Sequence, residues 1–175
     1  MEIFQTSDTK YLNEIIDLYV EAFSSGKSEQ YIDLVNLNKY IKLVLTEGYA
    51  HIAMENNAVY GAILICPLKL DNDLPNEIAE KFTIANCLYV AEMMVIENTR
   101  GKGIGKNLLK EFFEKSDKER YSDAFIRVWD ENIPAISLYE KMGFSYISSI
   151  IQTKTKVDKS GTFEMNKIYL HKKLN

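Results

Sequence analysis

The stretch Val95-Ile96-Glu97-Asn98-Thr99-Arg100-Gly101-Lys102-Gly103-Ile104-Gly105-Lys106 constrains this chain more than any other, because it forces a tight turn between two regular elements. Before it, Cys87 to Ile96 is an almost unbroken apolar run, the pattern of a strand buried on both faces. After it, Ile104, Leu108, Leu109, Phe112 and Phe113 recur at helical spacing, with Lys106, Lys110, Glu111, Glu114 and Lys115 mostly on the other side. Strand, glycine turn and helix together aim backbone N–H groups, the positive end of a helix dipole and three cationic side chains at one point. That point is expected to hold a phosphate or pyrophosphate.

Two nucleotide motifs fail on spacing. A dinucleotide fingerprint begun at Gly101 needs a third glycine where Lys106 stands. A Walker A loop needs Ser or Thr after Gly105-Lys106, and Asn107 is there instead. Gly26-Lys27-Ser28 ends like such a loop, but its earlier glycine position is Glu21 and the residues before it read as helix. It is read as a loop.

At 175 residues the chain suits one well-buried core, so a single domain over 1–175 is expected. Its 46% hydrophobic and 26% charged residues are those of ordinary globular domains. No apolar run reaches membrane-spanning length, and Met-Glu-Ile-Phe-Gln-Thr-Ser-Asp does not resemble a leader, so a cytoplasmic protein without membrane association is expected. A net charge of −4 argues against general nucleic-acid binding and is compatible with a cationic acceptor. Cys66 and Cys87 sit in apolar runs and read as buried free thiols; His51 and His171 read as structural, with no metal site around them.

A strand over Glu2–Thr6 precedes a helix carrying Leu12, Ile15, Ile16, Tyr19 and Phe23, and Ser24-Ser25-Gly26 separates it from a second with Leu34, Leu37, Ile41 and Val44. Ala50–Glu55 and Ala58–Cys66 around Asn56-Asn57 predict a hairpin. Between Pro67 and Asn86 the regularity breaks, with a short helix around Leu74–Lys81; this insert either borders a cleft or packs on the sheet, and the sequence leaves both open. Then follow strand Ala124–Trp129, helix Asn132–Met142, strand Phe144–Thr155 and closing strand Phe163–Leu170. The order is that of a mixed α/β domain.

Arg100-Gly-Lys-Gly-Ile-Gly105 resembles the Gln/Arg-x-x-Gly-x-Gly/Ala signature of the GCN5-related N-acetyltransferase (GNAT) superfamily. Asn132-Ile-Pro-Ala-Ile-Ser-Leu-Tyr-Glu-Lys-Met-Gly-Phe144 is similar to that superfamily's Asn-x-x-Ala-x-x-x-Tyr-x-x-x-Gly-Phe block. The close match runs from about Tyr89 to Phe144. The resemblance implies a mostly antiparallel sheet flanked by helices, with splayed central strands, and acetyl-CoA as co-substrate without a metal. It implies that the open edge at Met93, Met94 and Val95 takes the pantetheine arm, and that Arg100, Gly101, Lys102, Gly103, Ile104, Gly105 and Lys106 take the diphosphate. Ala135 and Tyr139 share a helix face, where the small residue leaves room for the cofactor and the phenol reaches its sulfur. Asn132 is a helix N-cap or a cofactor contact.

In that family the tyrosine matching Tyr139 often protonates the departing thiolate; the alternative is a phenol anchored in the core. Glu92, a carboxylate in an apolar strand, is costly unless paired or solvated. It either faces a cleft, where family members bind or deprotonate the acceptor amine, or forms a structural ion pair. Glu97 is read as loop surface. The implied reaction is direct attack by an amine in a ternary complex, with an N–H near Met93–Met94 stabilising the oxyanion. The acceptor is an amine of a small molecule or peptide, and homodimers are common in the family. Two rivals stand beside this: a non-catalytic acyl-CoA sensor or scaffold of the same fold, and a phosphotransferase, which lacks a P-loop hydroxyl and an evident magnesium-binding pair. Tyr11, Tyr31, Tyr40, Tyr60 and Trp129 line a pocket or, for most, belong to the core.

Overall fold

The computed structural model describes residues 1–24 and 29–175; the Gly26-Lys27-Ser28 reading falls outside the described residues. Among the described residues seven strands form one sheet in the order β1-β2-β3-β4-β5-β7-β6. They are β1 Glu2–Thr6, β2 Tyr49–Glu55, β3 Ala58–Pro67, β4 Cys87–Val95, β5 Asp123–Trp129, β6 Ser145–Thr155 and β7 Thr162–Lys173. Every pairing is antiparallel except that of β4 with β5. The β2–β3 hairpin turns at Asn56 and Asn57, both with positive φ (51° and 63°), the conformation that a two-residue turn matched to strand twist requires.

Among the described residues five α-helices cover the sheet: α1 Leu12–Phe23, α2 Leu34–Glu47, α3 Asn76–Lys81, α4 Ile104–Lys115 and α5 Ile133–Lys141. Helix α2 starts where Asp33 Oδ1 accepts from the N–H groups of Val35 (2.9 Å) and Asn36 (3.0 Å). It buries Leu37, Ile41, Val44 and Leu45, and α1 buries Leu12, Ile15 and Leu18 on the same sheet face. Helix α4 buries Ile104, Leu108, Leu109 and Phe112 on the opposite face, joined there by Tyr139 of α5. Each such fully buried aliphatic contributes roughly 1.5–3 kcal/mol over an exposed one, so the two faces hold the sheet as a middle layer.

The Pro67–Asn86 insert packs on the sheet, the second of the two readings the sequence left open. Leu68 and Ile78 are fully buried against the sheet, while Asp71 and Asp73 reach the side chain of Arg127 on β5 (3.1 Å each). Cys66 and Cys87 are buried free thiols. His171 contacts Asp123 Oδ1 at 2.6 Å and stacks near Phe82 and Phe125. Among the described residues there is no helix long and apolar enough to cross a membrane, and no group of His, Cys, Asp and Glu that could hold a metal ion.

Candidate active site

Strands β4 and β5 part company half-way. They pair from Cys87↔Asp123 to Val90↔Ile126, and beyond that β5 continues against β7 alone. The parting coincides with an irregularity on the other side of β4: Leu64 faces Glu92 but Ile65 faces Val90, so Ala91 is an extra residue. A bulge of this kind bends a strand and re-aims its side chains. Past it, the Ile96 N–H donates to Tyr60 O (3.0 Å) on β3. Strand alternation then turns Met94 toward β3 and presents the backbone groups of Met93 and Val95 to the gap. Consistently, a Cβ on Gly61 of β3 would stand 2.9 Å from the Met94 carbonyl oxygen. Of the three residues expected to offer an open edge, Met94 is therefore turned the wrong way.

The gap runs into the glycine turn. Gly101 and Gly103 have φ of +80° and +86° with nothing within 4 Å of where a Cβ would be, so both are needed for conformation and both face open space. Gly105 has no positive φ; a Cβ there would sit 3.3 Å from Leu138 and 3.4 Å from Met93, so its smallness seats α4 on β4 and α5. The Arg100 and Lys102 N–H groups are engaged inside the turn, by Glu97 O (3.1 Å) and Thr99 O (3.4 Å). Those of Gly101, Gly103, Ile104, Gly105 and Lys106 have no protein acceptor among the described residues, as expected at a helix start without a side-chain cap. The Ile104 side chain is buried in the core, so only its amide is available. Arg100, Lys102 and Lys106 are exposed. Arg100 Nε donates to Val95 O (3.1 Å), so part of this guanidinium ties the turn to the end of β4. Asn132 caps α5 with a long contact from the Ala135 N–H (3.4 Å).

Glu92 and Tyr139 approach the gap from opposite sheet faces. Glu92 is half-buried beneath α1 and α2, and Tyr40 of α2 donates to its Oε1 at 3.0 Å. Burial pushes this carboxyl up to about 7, against the opposing pull of the Tyr40 hydrogen bond and of Lys167, Arg127 and Lys154. Tyr139 is buried beside Phe144, with ring centroids 6.2 Å apart. Its residue is also fastened at the helix end: Gly143 (φ +91°) lets the Phe144 N–H turn back to Tyr139 O (3.0 Å). Burial, and then the Glu92 charge, raise the Tyr139 phenol above its ordinary value. Among the described residues, the polar side-chain atoms both sealed from solvent and unpartnered are the two His51 nitrogens. The Tyr139 hydroxyl is not one of them.

Several residues here were not legible in the sequence. Tyr19, Arg127, Lys154 and Lys167 surround Glu92 on the α1–α2 side; of the aromatic residues the sequence did offer for a pocket, Tyr31 and Tyr40 line a cavity there while Tyr11 packs on Phe4. Alternation along β5 put Arg127 on the same face as Phe125 and was the signal available; nothing local tied it to Asp71, 56 residues away.

The acetyltransferase (GNAT) family pattern matches residues 12–144. This chain belongs to the GNAT family. An N-acetyltransferase of Bacillus subtilis (strain 168), YobR, is 37% identical over 59 residues, which are 34% of this chain and 24% of that one. The match thus spans about a quarter of that relative's length. Among solved structures, the ribosomal-protein-alanine N-acetyltransferase from Brucella melitensis superposes with a TM-score of 0.74 at 19% identity, covering 99% of each chain. yncA from Salmonella typhimurium, determined with its cofactor acetyl-CoA, gives 0.72 at 15% identity, covering 100% of this chain and 95% of that one. At such identities these two establish the shared GNAT fold, the mixed sheet flanked by helices.

Proposed function

We propose that this GNAT protein moves an acetyl group from acetyl-CoA to an amine by direct attack in a ternary complex. The observation that carries the reading is the β4–β5 gap, with Glu92 entering it from one face and Tyr139 from the other. The residues fit acetyl-CoA: free amides at Gly101 and at Gly103 through Lys106, two positive-φ glycines under open space, and the Met93 and Val95 backbone along the gap. Lys102 and Lys106, and the rest of the Arg100 guanidinium, add charge at the diphosphate end; Asn132 and Ala135 border it from α5. Acetyl-CoA, when bound, supplies an activated acyl carbon on a thiol leaving group.

The chain's own groups manage the protons. An acceptor amine arrives as an ammonium, and Glu92, raised to about 7, is matched to take its proton near neutrality. Tyr40 occupies one Glu92 oxygen and leaves the other for that proton. As the N–C bond forms and the C–S bond breaks, Tyr139 gives its phenolic proton to the sulfur, and the second proton shed by the nitrogen as it becomes an amide restores the phenol. The raised phenol is a weaker acid than an ordinary one, but part of its shift comes from the Glu92 charge. A proton arriving on Glu92 removes that part, so the base and the acid are coupled. The Met93 N–H, rather than that of Met94, faces the gap and is the one placed to stabilise the developing oxyanion.

The test is thiol release from acetyl-CoA across a panel of amines, with products identified by mass spectrometry. Acceptor-dependent release with matching acetylated product supports the reading. Tight acetyl-CoA binding without it would sink the enzyme and favour a sensor or scaffold.

A further inference from the structure

The amine that reaches Glu92 enters from the α1–α2 side, and the chemistry there narrows what it is. A cavity of about 370 Å³ has Tyr19, Gln30, Tyr31, Asn36, Tyr40 and Lys154 in its walls, within the size class of small-molecule sites. Tyr40 belongs both to this cavity and to Glu92, to which it donates at 3.0 Å, so the two adjoin. Acyl transfer explains the carboxylate but not the cations beside it. Lys154 of β6 and Lys167 of β7 are both half-buried, and among the described residues neither has a carboxylate within ion-pairing distance. Burial and then the Lys154 charge disfavour the Lys167 ammonium, burial and then Arg127 disfavour that of Lys154, and the charge of Glu92 pulls the other way on both. The neighbouring Arg127 differs: Asp71 and Asp73 neutralise it, and Tyr169 adds a contact at 2.9 Å. Ammonium groups partly withdrawn from water with no carboxylate in contact are costly, and the charge of Glu92 acts on both only from beyond ion-pairing distance. Lys154 lines the cavity that adjoins Glu92 through Tyr40, and Lys167 lies near enough to Lys154 to feel its charge.

The geometry points to an acceptor that carries its own anion: a small amino-carboxylate, its amine at Glu92 and its carboxylate on Lys154 and Lys167. This rests on the acetyl-transfer reading of the site. The aromatic walls of Tyr19, Tyr31 and Tyr40 give the carbon framework between the two charged ends an apolar surface. Polyamines and aminoglycosides, cationic throughout, would place positive charge against both lysines.

The ω-amino acids from glycine to 6-aminohexanoate and the α-amino acids are offered to the full chain, each beside the alkylamine or amino-acid amide that matches it in length. Turnover with acetyl-CoA and thermal-shift titration without it are both read. At least tenfold higher kcat/KM, and a larger thermal shift, are expected for the carboxylates. Lys154→Met should bring the carboxylate-over-amide ratio close to one, and Lys154→Arg should restore it. Equal use of neutral or polycationic amines, or a ratio unmoved in Lys154→Met, overturns the proposal. If no amine turns over, the transfer reading fails, and the Lys154-dependent thermal shift still decides whether an amino-carboxylate binds; its absence counts against the inference.

Discussion

Glu92 and His51 are both ionisable groups on sheet strands, and burial treats them in opposite ways. Because Glu92 is raised to about 7, it is half ionised near neutrality, and a role as base makes kcat/KM rise with pH through that value. Glu92→Gln should lower kcat about 100-fold and flatten that limb; a profile unchanged in shape would remove Glu92 as the base. Tyr139→Phe should lower kcat by a similar factor of about 100 while the Kd of acetyl-CoA, measured by calorimetry, stays within about twofold. His51 is fully buried with neither ring nitrogen bonded, and burial, then Lys115, lowers it to about 4. An unfolded histidine titrates near 6.5, so in this pH range the unfolded chain binds the extra proton. Stability is whole above about 6.5 and is lost as pH falls toward 4, by about 3 kcal/mol from this group. His51→Leu should flatten that acid limb in urea unfolding curves taken from pH 7 to 4. Glu92 runs the other way, its neutral form favoured in the fold, so its contribution fades as pH rises through about 7.

Among the elements, the turn from Ile96 to Gly103 and the first turn of α4 act as one unit. Thr99 N–H and Arg100 N–H close it onto Ile96 O and Glu97 O, and Arg100 Nε anchors it to β4. This fixes the free amides before any ligand arrives, which lowers the ordering cost of binding. Gly103→Val forces a branched residue into φ +86° and puts a side chain into the open space. The strain costs roughly 1–2 kcal/mol, a Tm drop of about 2–8 °C in a chain of this size. Acetyl-CoA affinity should fall much further, at least about 100-fold by calorimetry. Normal affinity in that variant would contradict the assignment of the turn. The Ala91 bulge is the matching device on β4: it puts Ala91 and Glu92 consecutively toward α1 and α2, where simple alternation would send one of them to α4.

At the level of the molecule, the sheet separates two helical faces, α1 and α2 on one and α4 and α5 on the other. On the proposed reading the thiol carrier binds from the α4–α5 side of the gap and the amine from the α1–α2 side, so neither need leave before the other binds. Initial-rate plots against both substrates should therefore intersect, and parallel lines would indicate an acyl-enzyme. The thiols are unsuited to forming one: both are buried, and burial pushes Cys66 and Cys87 up to about 12. Pre-treatment with iodoacetamide should leave turnover unchanged.

What the chain states locally, it states well. Apolar spacing marked the strands and helices to within a residue or two at most ends, Asn56-Asn57 marked the hairpin, and Gly143 the end of α5. The glycine turn was legible for the same reason, since its backbone conformation is set by residues adjacent in sequence. The Pro67–Asn86 insert and the acceptor side were not. Glu92 meets Tyr40 across 52 residues and Arg127 meets Asp71 across 56, contacts that exist only once the sheet register, the bulge at Ala91 and the packing of α2 are in place. The sequence determined the strand, turn and helix that shape the gap, because those follow from short-range sterics and periodicity. The tertiary structure decided which charges face each other across it, because burial and long-range pairing are properties of the assembled sheet.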